Sequence, residues 1–373
     1  MKKVFYIDAV EIKNKIILLR VDFNVSLSRG KTTIIDDTRI RLTLPTINYL
    51  LEKNNKLILI AHLGRPKTRD PQFSLKIVAN RLQEYLPNYQ VVLVDDFLKN
   101  YPANQTSQQI FLLENIRFYP QEKTHEEAFI NQLASLGEIY VNDAFGVCHR
   151  ESVSVFDLPK KLPSYGGLLL KKEIETIEPV IINPQRPFVT IIGGAKISTK
   201  INLIKKLGEI SDQLLIGGAL ANTFIAAKGQ SIWQSLYEPD QLDNARQLEL
   251  EINQKSKKLI LPHDFVTQNE KILDIGPQTQ LNFKQLISQA KTIVWNGPVG
   301  FFENPKFTAG SQAILDAITS NHQAFSIIGG GDTLAFIKGK PHLDKISHIS
   351  TGGGALLEFI EKGTLSGIEA LKR

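Results

Sequence analysis

The chain has 373 residues, of which 42% are hydrophobic and 22% charged, and its formal net charge at pH 7 is +6. This length favours two domains, and the composition excludes a disordered or fibrous protein. The single cysteine, Cys148, excludes an intrachain disulfide, and the first apolar run is too short for a secretory signal or a membrane span, so a cytoplasmic protein is expected.

Short apolar runs alternate with helical periodicity along the whole chain. In the first half, buried strands are predicted at 15–21, 57–61, 91–94, 110–113 and 139–142, with helices between them that include 39–53 and 123–136. In the second half, strands are predicted near 188–192, 213–216, 258–261, 291–295, 325–328 and 346–350, and helices near 198–208, 219–228, 240–255, 308–319 and 353–361. This alternation predicts an α/β fold of two doubly wound, Rossmann-like parallel sheets.

The boundary between the two domains is predicted at 165–187, where two glycines are followed by a helical pattern and then by prolines. A helix that joins the domains is expected there, with flexible ends that act as a hinge. The positive net charge is compatible with an anionic partner. The densest lysine pairs, Lys171-Lys172 and Lys205-Lys206, lie in helix-like stretches and are typical of solvated helix faces. We therefore expect neither a nucleic-acid nor a membrane partner.

Polar residues follow several predicted strands of the first half, where open α/β sheets bind their ligands. They are Asp22, Asn24, His62, Arg65, Arg117, His149 and Arg150, and Arg39 opens the first predicted helix. Because guanidinium groups bind carboxylates and phosphates in bidentate fashion, arginines from four segments predict a small substrate with several negative charges. The alternative is a set of internal salt bridges to Asp22, Glu114 and Asp143. The two histidines lack the spacing of a helical zinc site, so hydrogen-bonding roles are favoured for them.

Glycines follow five predicted strands of the second half. The segments are IIGGAKISTK (191–200), LLIGGALANTF (214–224), IVWNGPVGFFE (293–303), IIGGGDTLAF (327–336) and ISTGGGALLEF (349–359). Such turns let backbone amides approach an anion, and a following helix adds the partial positive charge of its N-terminus. Each alone is typical of a tight turn, but together they predict phosphate binding. No segment has the G-x-G-x-x-G spacing of a dinucleotide site, so a nucleoside di- or triphosphate is favoured.

Three charged residues accompany these turns. Lys196 and Lys200 follow the first turn without forming the G-x-x-x-x-G-K-[ST] motif. Asp332 follows three glycines, where a carboxylate would repel phosphate unless a divalent cation lay between them. Since Mg²⁺ binds one or two carboxylates together with phosphate oxygens, Asp332 is a candidate metal ligand. The alternative is that Asp332 caps the next helix.

Eight motifs occur in one order along the chain: RVDFNV (20–25), HLGRP (62–66), LLENIRF (112–118), NDAFG..HR (142–150), GGAK...K (193–200), WNGPVG.FE (295–303), GGGDT (329–333) and STGGGA (350–355). With them the sequence resembles the phosphoglycerate kinase family over essentially its whole length. The resemblance implies reversible, Mg²⁺-dependent phosphoryl transfer from 1,3-bisphosphoglycerate to ADP, giving 3-phosphoglycerate and ATP in glycolysis and gluconeogenesis. It also implies a monomer whose domains close around the substrates.

The resemblance further implies which segments form each domain. A phosphoglycerate-binding domain would comprise 1–168 and a returning tail, 357–373, while 169–187 would connect it to a nucleotide-binding domain, 188–356. Phosphoglycerate would be held by Asp22, Phe23, Asn24, Arg39, His62, Leu63, Gly64, Arg65, Arg117 and Arg150. The nucleotide would be held by Gly194, Ala195, Lys200, Gly218, Asn296, Pro298, Glu303, Gly330, Gly331, Asp332 and Thr333, with Glu303 on the ribose and Asp332 on the metal.

Catalysis would fall to Arg39, Lys196, Lys200 and the helix N-terminus at Gly353. The nucleophile in either direction is already an ionised oxygen, so no general base is needed, and positioning with charge neutralisation remains.

Some positions depart from the family pattern. Ala219 replaces a glycine near the adenine pocket, Glu151 places a carboxylate beside the arginines, and the segment 262–279 is shorter than usual. These departures leave open a divergent, non-catalytic paralogue that acts as a binding or scaffold protein. All the residues assigned to chemistry are present, which favours an active enzyme.

Overall fold

The computed structural model describes residues 3–100, 106–254 and 257–373. Its strands are β1 (Ile16–Arg20), β2 (Ser26–Leu27), β3 (Ile34–Asp36), β4 (Lys56–Ile60), β5 (Gln90–Val94), β6 (Gln109–Leu113), β7 (Ile139–Asn142), β8 (Ser164–Gly166), β9 (Phe188–Ile192), β10 (Gln213–Ile216), β11 (Lys258–Ile260), β12 (Phe265–Gln268), β13 (Lys271–Ile275), β14 (Thr292–Asn296), β15 (Phe325–Gly329) and β16 (His348–Ile349).

The helices are α1 (Thr38–Leu51), α2 (Lys76–Tyr85), α3 (Phe97–Asn100), α4 (Gln121–Thr124), α5 (Glu127–Ala134), α6 (Leu158–Lys161), α7 (Leu168–Ile182), α8 (Ile201–Ile210), α9 (Gly218–Ala227), α10 (Leu242–Asn253), α11 (Pro277–Gln289), α12 (Ala309–Ser320), α13 (Gly331–Ile337), α14 (Gly354–Lys362) and α15 (Ser366–Glu369). Over the described ranges, every helix is too short or too polar to cross a membrane.

Contacts divide the chain into two units, Met1–Glu175 with Thr364–Arg373, and Thr176–Gly363. In the described part of the first unit, six parallel strands form a sheet in the order β5-β6-β4-β1-β7-β8. Leu18 and Leu19 of β1 point to opposite faces, and both are fully buried, as in a parallel sheet covered on both sides. The order makes β6, β4, β1 and β7 neighbours, so the residues that follow them meet at one edge.

The second unit is built in the same way. Within its described residues, six parallel strands have the order β11-β10-β9-β14-β15-β16, and β9 and β14 are buried along their whole length. Trp295 of β14 is fully buried in the core. The central strands β10, β9, β14 and β15 bring the glycine segments that follow them to one edge. The predicted α/β class with two parallel sheets is therefore confirmed.

The last ten residues, Thr364–Arg373, belong to the first unit. Gly367 donates a backbone hydrogen bond to Cys148 O at 2.8 Å, and Lys3 and Arg373 exchange two backbone hydrogen bonds of 3.2 Å. A Cβ on Gly367 would collide with the backbone of Cys148, so glycine allows this close approach. The connecting helix, α7, begins in the first unit and ends in the second.

Two local predictions differ from the structure, and a third segment gains a defined form. The helix predicted at 123–136 is two helices, α4 and α5, because His125 between them takes a left-handed conformation at φ 56°. The glycine break at the domain boundary contains β8, in which Gly166 donates to Phe5 O at 2.8 Å and leaves room for the Tyr6 ring. The short segment at 262–279 holds the β12–β13 hairpin, whose turn residues Asn269 and Glu270 have φ of 50° and 58°.

Candidate functional site

Cationic side chains gather at the carboxyl edge of the first sheet. Arg20 ends β1, Arg117 follows β6, and Arg150 follows β7. At the centre lies His62, whose pKa is held well below its ordinary value by burial and then by the charges of surrounding arginines. We name as the arginine cluster Arg20, Arg39, Arg65, Arg117 and Arg150.

Most of the arginine cluster lines one cavity of about 780 Å³. The cationic residues around this cavity are Arg20, Arg65, Lys67, Arg117, Lys123 and Arg150. Burial, and then the charges of Arg20 and Arg150, lower the pKa of Arg117 to about 10. Guanidinium groups this close disfavour one another's charge, so a multiply charged anion among them would be stabilising.

Internal salt bridges explain only part of this charge. Arg39 Nη1 donates to Asp22 Oδ2 at 2.6 Å, as the salt-bridge alternative predicts. Glu114 and Asp143 instead accept hydrogen bonds from backbone N–H groups, at 2.6 Å and 2.8 Å. The expectation that these two carboxylates pair with the arginines is therefore wrong.

The role of Arg20 was not predicted from the sequence. This side chain is 2% exposed, donates to Ser154 Oγ at 2.9 Å, and places Nη2 at 3.2 Å from His62 Nδ1. A guanidinium can only donate, so Nδ1 accepts and the neutral imidazole carries its proton on Nε2. His62 is thus an N–H donor and not a cation. The sequence feature that could have predicted this role is an arginine at the end of an otherwise apolar strand.

Other predicted residues of this site hold its loops together or are buried in the core. Asn24 Oδ1 accepts from Gly64 N at 2.8 Å, and Arg117 donates to Gly64 O, which ties the loops after β1, β4 and β6 together. Phe23 and Leu63 are 0% and 2% exposed, so their side chains belong to the core. For these two residues, only main-chain atoms can face a ligand.

The second site contains a lysine whose ammonium group is held by two hydrogen bonds within the protein. Lys200 Nζ donates to Gly193 O and to Asn296 Oδ1, each at 2.7 Å. Burial lowers the pKa of Lys200 to about 8, although the charge of Asp332 acts in the opposite direction. Lys196 is exposed on the preceding loop, and α8 begins only at Ile201. The helix predicted near 198–208 therefore starts three residues later than expected.

The glycines of this edge have a different purpose from the one expected. Gly194 N donates to Pro298 O and Gly218 N to Val299 O, each at 3.0 Å, while Gly193 N donates to Asn296 O at 2.9 Å. These amides are already used inside the protein, and a Cβ at Gly193 would meet the Pro298 carbonyl. The predicted approach of these three amides to an anion is therefore wrong, and the glycines serve loop packing.

Replacing Gly193 with alanine is expected to lower the free energy of unfolding by about 3 kcal/mol, because the new methyl group meets backbone that cannot rotate away. Denaturant unfolding monitored by circular dichroism measures the change. Gly331→Ala is the matched control, since nothing lies within 4 Å of the added Cβ, and a change below about 0.5 kcal/mol is expected. Equal stabilities of the two variants would contradict the packing argument.

A cavity of about 320 Å³ opens beside these loops. The predicted nucleotide residues that line it are Gly194, Ala195, Gly218, Pro298, Glu303 and Asp332. The predicted residues outside its lining are Lys200, Asn296, Gly330, Gly331 and Thr333. Its apolar wall includes Leu236, Phe265 and Ile272, which the sequence analysis did not select because these segments carry no glycine motif.

Two helices begin near this region. Thr333, in the first turn of α13, is fully buried and accepts a hydrogen bond from Gly297 N at 2.7 Å, whereas Asp332 is exposed. Gly353, at φ 53°, precedes the first residue of α14. Over the described ranges there is no group of three or more His, Cys, Asp or Glu side chains that could hold a metal ion by itself.

Two of the departures from the family pattern lie in these cavities. Glu151 lines the larger cavity with Arg150, and its Oε1 accepts from Ser366 Oγ of the returning tail at 3.1 Å. Ala219 lines the smaller cavity. The tail hydroxyl therefore engages part of the carboxylate beside the arginine cluster.

Comparison with known proteins gives concordant matches. Residues 7–363 match the family model described as phosphoglycerate kinase. The chain is 45% identical to phosphoglycerate kinase from Herpetosiphon aurantiacus, with 95% of each chain covered. The structure of phosphoglycerate kinase from Coxiella burnetii matches with a TM-score of 0.89 at 37% identity, covering 99% of this chain and 98% of that one. The enzyme from Pyrococcus horikoshii OT3 matches with a TM-score of 0.85 at 29% identity, covering 98% of each chain.

Proposed function

The chain belongs to the phosphoglycerate kinase family, and we propose that it carries out the family reaction with the two sites described above. It is a phosphotransferase with a carboxyl group as acceptor. The reaction moves a phosphoryl group reversibly from 1,3-bisphosphoglycerate to ADP, giving 3-phosphoglycerate and ATP. The proposal rests on the arginine cluster around His62 in one unit. In the other unit it rests on a partly apolar cavity whose lining residue Gly194 lies next to Lys200.

We assign phosphoglycerate to the first unit, Met1–Glu175 with Thr364–Arg373, which replaces the expected bounds 1–168 with 357–373. The substrate carries a phosphate and a carboxylate, and Arg39, Arg65, Arg117 and Arg150 offer bidentate donors for both. His62 adds a neutral N–H donor, because Arg20 occupies its other ring nitrogen. Asp22 orients Arg39, and Asn24 orients the Gly64 loop.

We assign the nucleotide to the domain 188–356. The base fits the apolar wall of the smaller cavity, and Glu303 on the same cavity offers its carboxylate to the ribose hydroxyls. The phosphates would then extend toward Lys200, Lys196 and the start of α13. A diphosphate would be stabilised there by lysine charge and by the helix N-terminus near Gly330 and Gly331.

A magnesium ion fits this donor set. Mg²⁺ in phosphoryl-transfer sites uses one or two carboxylates and otherwise phosphate oxygens and water, so a single exposed carboxylate is sufficient. Asp332 lines the cavity and is such a carboxylate. When bound, the ion would neutralise charge on the nucleotide phosphates.

The protein groups act by positioning and by neutralising charge. The attacking atom is an ionised carboxylate or phosphate oxygen, so the transfer needs no general base. Lys200 meets the phosphoryl group with a preorganised ammonium, since Gly193 O and Asn296 Oδ1 already fix its direction. The other residues that we propose to act in catalysis are Arg39 in the first unit, and Lys196 and the α14 N-terminus at Gly353 in the second.

The pH dependence of catalysis should report Lys200. Its pKa is about 8, below the ordinary 10.5, so the side chain is charged below pH 8 and becomes neutral above it. We expect kcat/KM for MgATP to fall above about pH 8, and kcat to fall at higher pH because bound phosphate stabilises the ammonium.

The titration of Lys200 does not destabilise the fold, so unfolding caused by this group does not explain a loss of activity above pH 8. Between pH 8 and 10.5 the folded chain has released the Lys200 proton that the unfolded chain retains, so this group makes the folded state more stable as pH rises. Initial rates from pH 6 to 10 measure the profile. In Lys200→Arg, whose side chain stays charged, the fall in residual activity near pH 8 should vanish. A wild-type profile that stays flat to pH 9.5 would contradict the assignment.

The deciding experiment couples 3-phosphoglycerate and MgATP to a dehydrogenase that reduces the acyl phosphate product with NADH. We expect NADH consumption that requires both substrates and stops when a chelator removes magnesium. A folded protein without this signal would overturn the proposed function. We also propose a cytoplasmic monomer without nucleic-acid or membrane partners, and light scattering tests the monomer.

A further inference from the structure

A buried carboxylate lines the larger cavity and has no part in the function proposed above. Glu122 of α4 is 4% exposed. Its Oε1 accepts from Ser154 Oγ at 2.6 Å, and its Oε2 accepts from Ser154 N at 3.0 Å. Burying a carboxylate is costly unless it is hydrogen-bonded and paired with a cation. A cation is therefore expected close to Glu122.

That cation is Arg20, and Ser154 joins the two side chains. Arg20 Nε donates to Ser154 Oγ at 2.9 Å, and a guanidinium can only donate. Because the hydroxyl has one proton, Ser154 Oγ accepts from Arg20 and gives its own proton to Glu122. The two charges also act on each other directly: burial raises the pKa of Glu122, and the charge of Arg20 is the largest influence that opposes this rise.

Ser154 is held in place from two sides. Glu122 binds its backbone N–H, and its carbonyl oxygen accepts from Tyr140 Oη at 2.7 Å. Tyr140 belongs to β7, and both Tyr140 and Ser154 are fully buried. The Ser154 hydroxyl is therefore a fixed point, and it orients the guanidinium that donates to it.

The other end of this guanidinium contacts His62. Arg20 Nη2 lies 3.2 Å from His62 Nδ1, and Nη1 donates to Val21 O, so each of the three guanidinium nitrogens has a partner. A guanidinium is planar, so Nη2 cannot keep its place if Nε moves. The hydroxyl of Ser154 and the ring of His62 are thus coupled through one rigid group.

We propose that Glu122 is a positioning residue of the phosphoglycerate site, which acts through Ser154 to orient Arg20 and thereby holds His62 as the neutral Nε2–H tautomer. The expected effect on the substrate rests on the proposed function. The expected effect on His62 concerns the protein alone.

The tautomer of His62 tests the proposal without any substrate. Heteronuclear NMR of the full chain with isotope-labelled histidine distinguishes a protonated Nε2 from a protonated Nδ1, and His62→Gln identifies the signal among the seven histidines. We expect Nε2–H in wild type. In Ser154→Ala the guanidinium loses the hydroxyl, and in Glu122→Gln one acceptor oxygen becomes a donor, so both variants should show a mixture of the two tautomers.

Two results of this measurement would overturn the proposal. One is Nδ1–H in wild type, and the other is an unchanged His62 signal in either variant. The wild-type measurement needs no substitution, so the proposal is testable even if the variants do not fold.

Initial-rate kinetics separate positioning from charge. By charge alone, removing a carboxylate beside the arginine cluster would strengthen the binding of an anion and lower the KM for 3-phosphoglycerate. Positioning predicts the opposite, so we expect Ser154→Ala and Glu122→Gln each to raise this KM about tenfold, with the KM for MgATP within about twofold. Ser154→Ala changes no charge and reports positioning by itself.

The double variant tests whether the two residues act along one path. Its KM for 3-phosphoglycerate should lie within about twofold of the weaker single variant, because the path is already broken once. A lowered KM in Glu122→Gln, or losses that multiply in the double variant, would overturn the proposal.

Glu127→Gln is the matched control. Glu127 begins α5 and pairs on the surface with Lys161, and its substitution removes the same charge at the same size. The His62 signal should stay unchanged, and the KM for 3-phosphoglycerate should stay within about twofold. A shifted His62 signal in Glu127→Gln would mean that any loss of charge moves it, and the proposal would fall.

The NMR and kinetic results keep this inference apart from the proposed function. Absence of phosphoryl transfer by wild type would overturn the proposed function, while the tautomer of His62 would still decide the role of Glu122. Turnover by wild type with an unchanged His62 signal in the variants would overturn the role of Glu122 alone.

Discussion

Replacing Lys200 with alanine is expected to lower kcat by about 10²- to 10³-fold, with less than about a tenfold change in the dissociation constant of ADP. The reason lies in the two 2.7 Å hydrogen bonds to Gly193 O and Asn296 Oδ1 that orient its ammonium group. A donor already in place gains most when charge develops on the moving phosphoryl group, whereas ground-state nucleotide binding also draws on the cavity wall. Steady-state kinetics and calorimetry measure the two quantities separately.

The control for Lys200→Ala is Lys205→Ala on α8. Lys205 is surface-exposed and pairs at 3.6 Å with Glu251, so its loss should leave kcat within about twofold. If Lys200→Ala instead kept the wild-type kcat, or if both variants lost activity equally, the catalytic assignment would have to be abandoned.

The second large effect is expected from Arg39→Ala, which should raise the KM for 3-phosphoglycerate by about 100-fold and also lower kcat. The change removes the guanidinium that donates to Asp22 Oδ2 at 2.6 Å. The Asp22 carboxylate then lacks this partner and repels an anionic substrate. Binding of ADP alone should not change. Initial-rate kinetics with 3-phosphoglycerate varied, and ADP titration, provide the measurements.

Arg41 offers a matched control on the same helix. It pairs with Asp37 at 2.9 Å on the surface, and Arg41→Ala should leave the KM for 3-phosphoglycerate within about twofold. Arg39→Lys keeps the charge but lacks the planar fork, so we expect it to recover only part of the lost affinity. Full activity in Arg39→Ala would exclude Arg39 from the substrate site.

The main strands could be predicted because each is an apolar run bounded by turn residues. The arginine cluster was largely predictable for a related reason, since parallel strands bring the residues that follow them to one edge. Arg20 was missed because it is part of a strand, and its guanidinium comes next to His62 only in the folded chain. The apolar wall with Leu236 and Phe265 was missed because it assembles from distant segments without a motif.

The glycines show a different limit of sequence reasoning. A glycine after a strand fits an amide that faces a ligand, and it fits equally well a loop that packs against another loop. At Gly193 and Gly218 the second explanation holds, because the Gly193 amide donates to Asn296 O at the end of β14 and the Gly218 amide to Val299 O in the loop after it. Sequence alone does not contain the distance between two loops that are about 100 residues apart.

The return of the last ten residues, Thr364–Arg373, to the first unit has a consequence for biosynthesis. The backbone contact of Gly367 with Cys148 joins residues that leave the ribosome more than 200 positions apart. The second unit has all its residues once Gly363 has been translated, whereas the first unit still lacks its closing segment. Although domains generally fold in order of synthesis, here the domain that starts first is the one that finishes last.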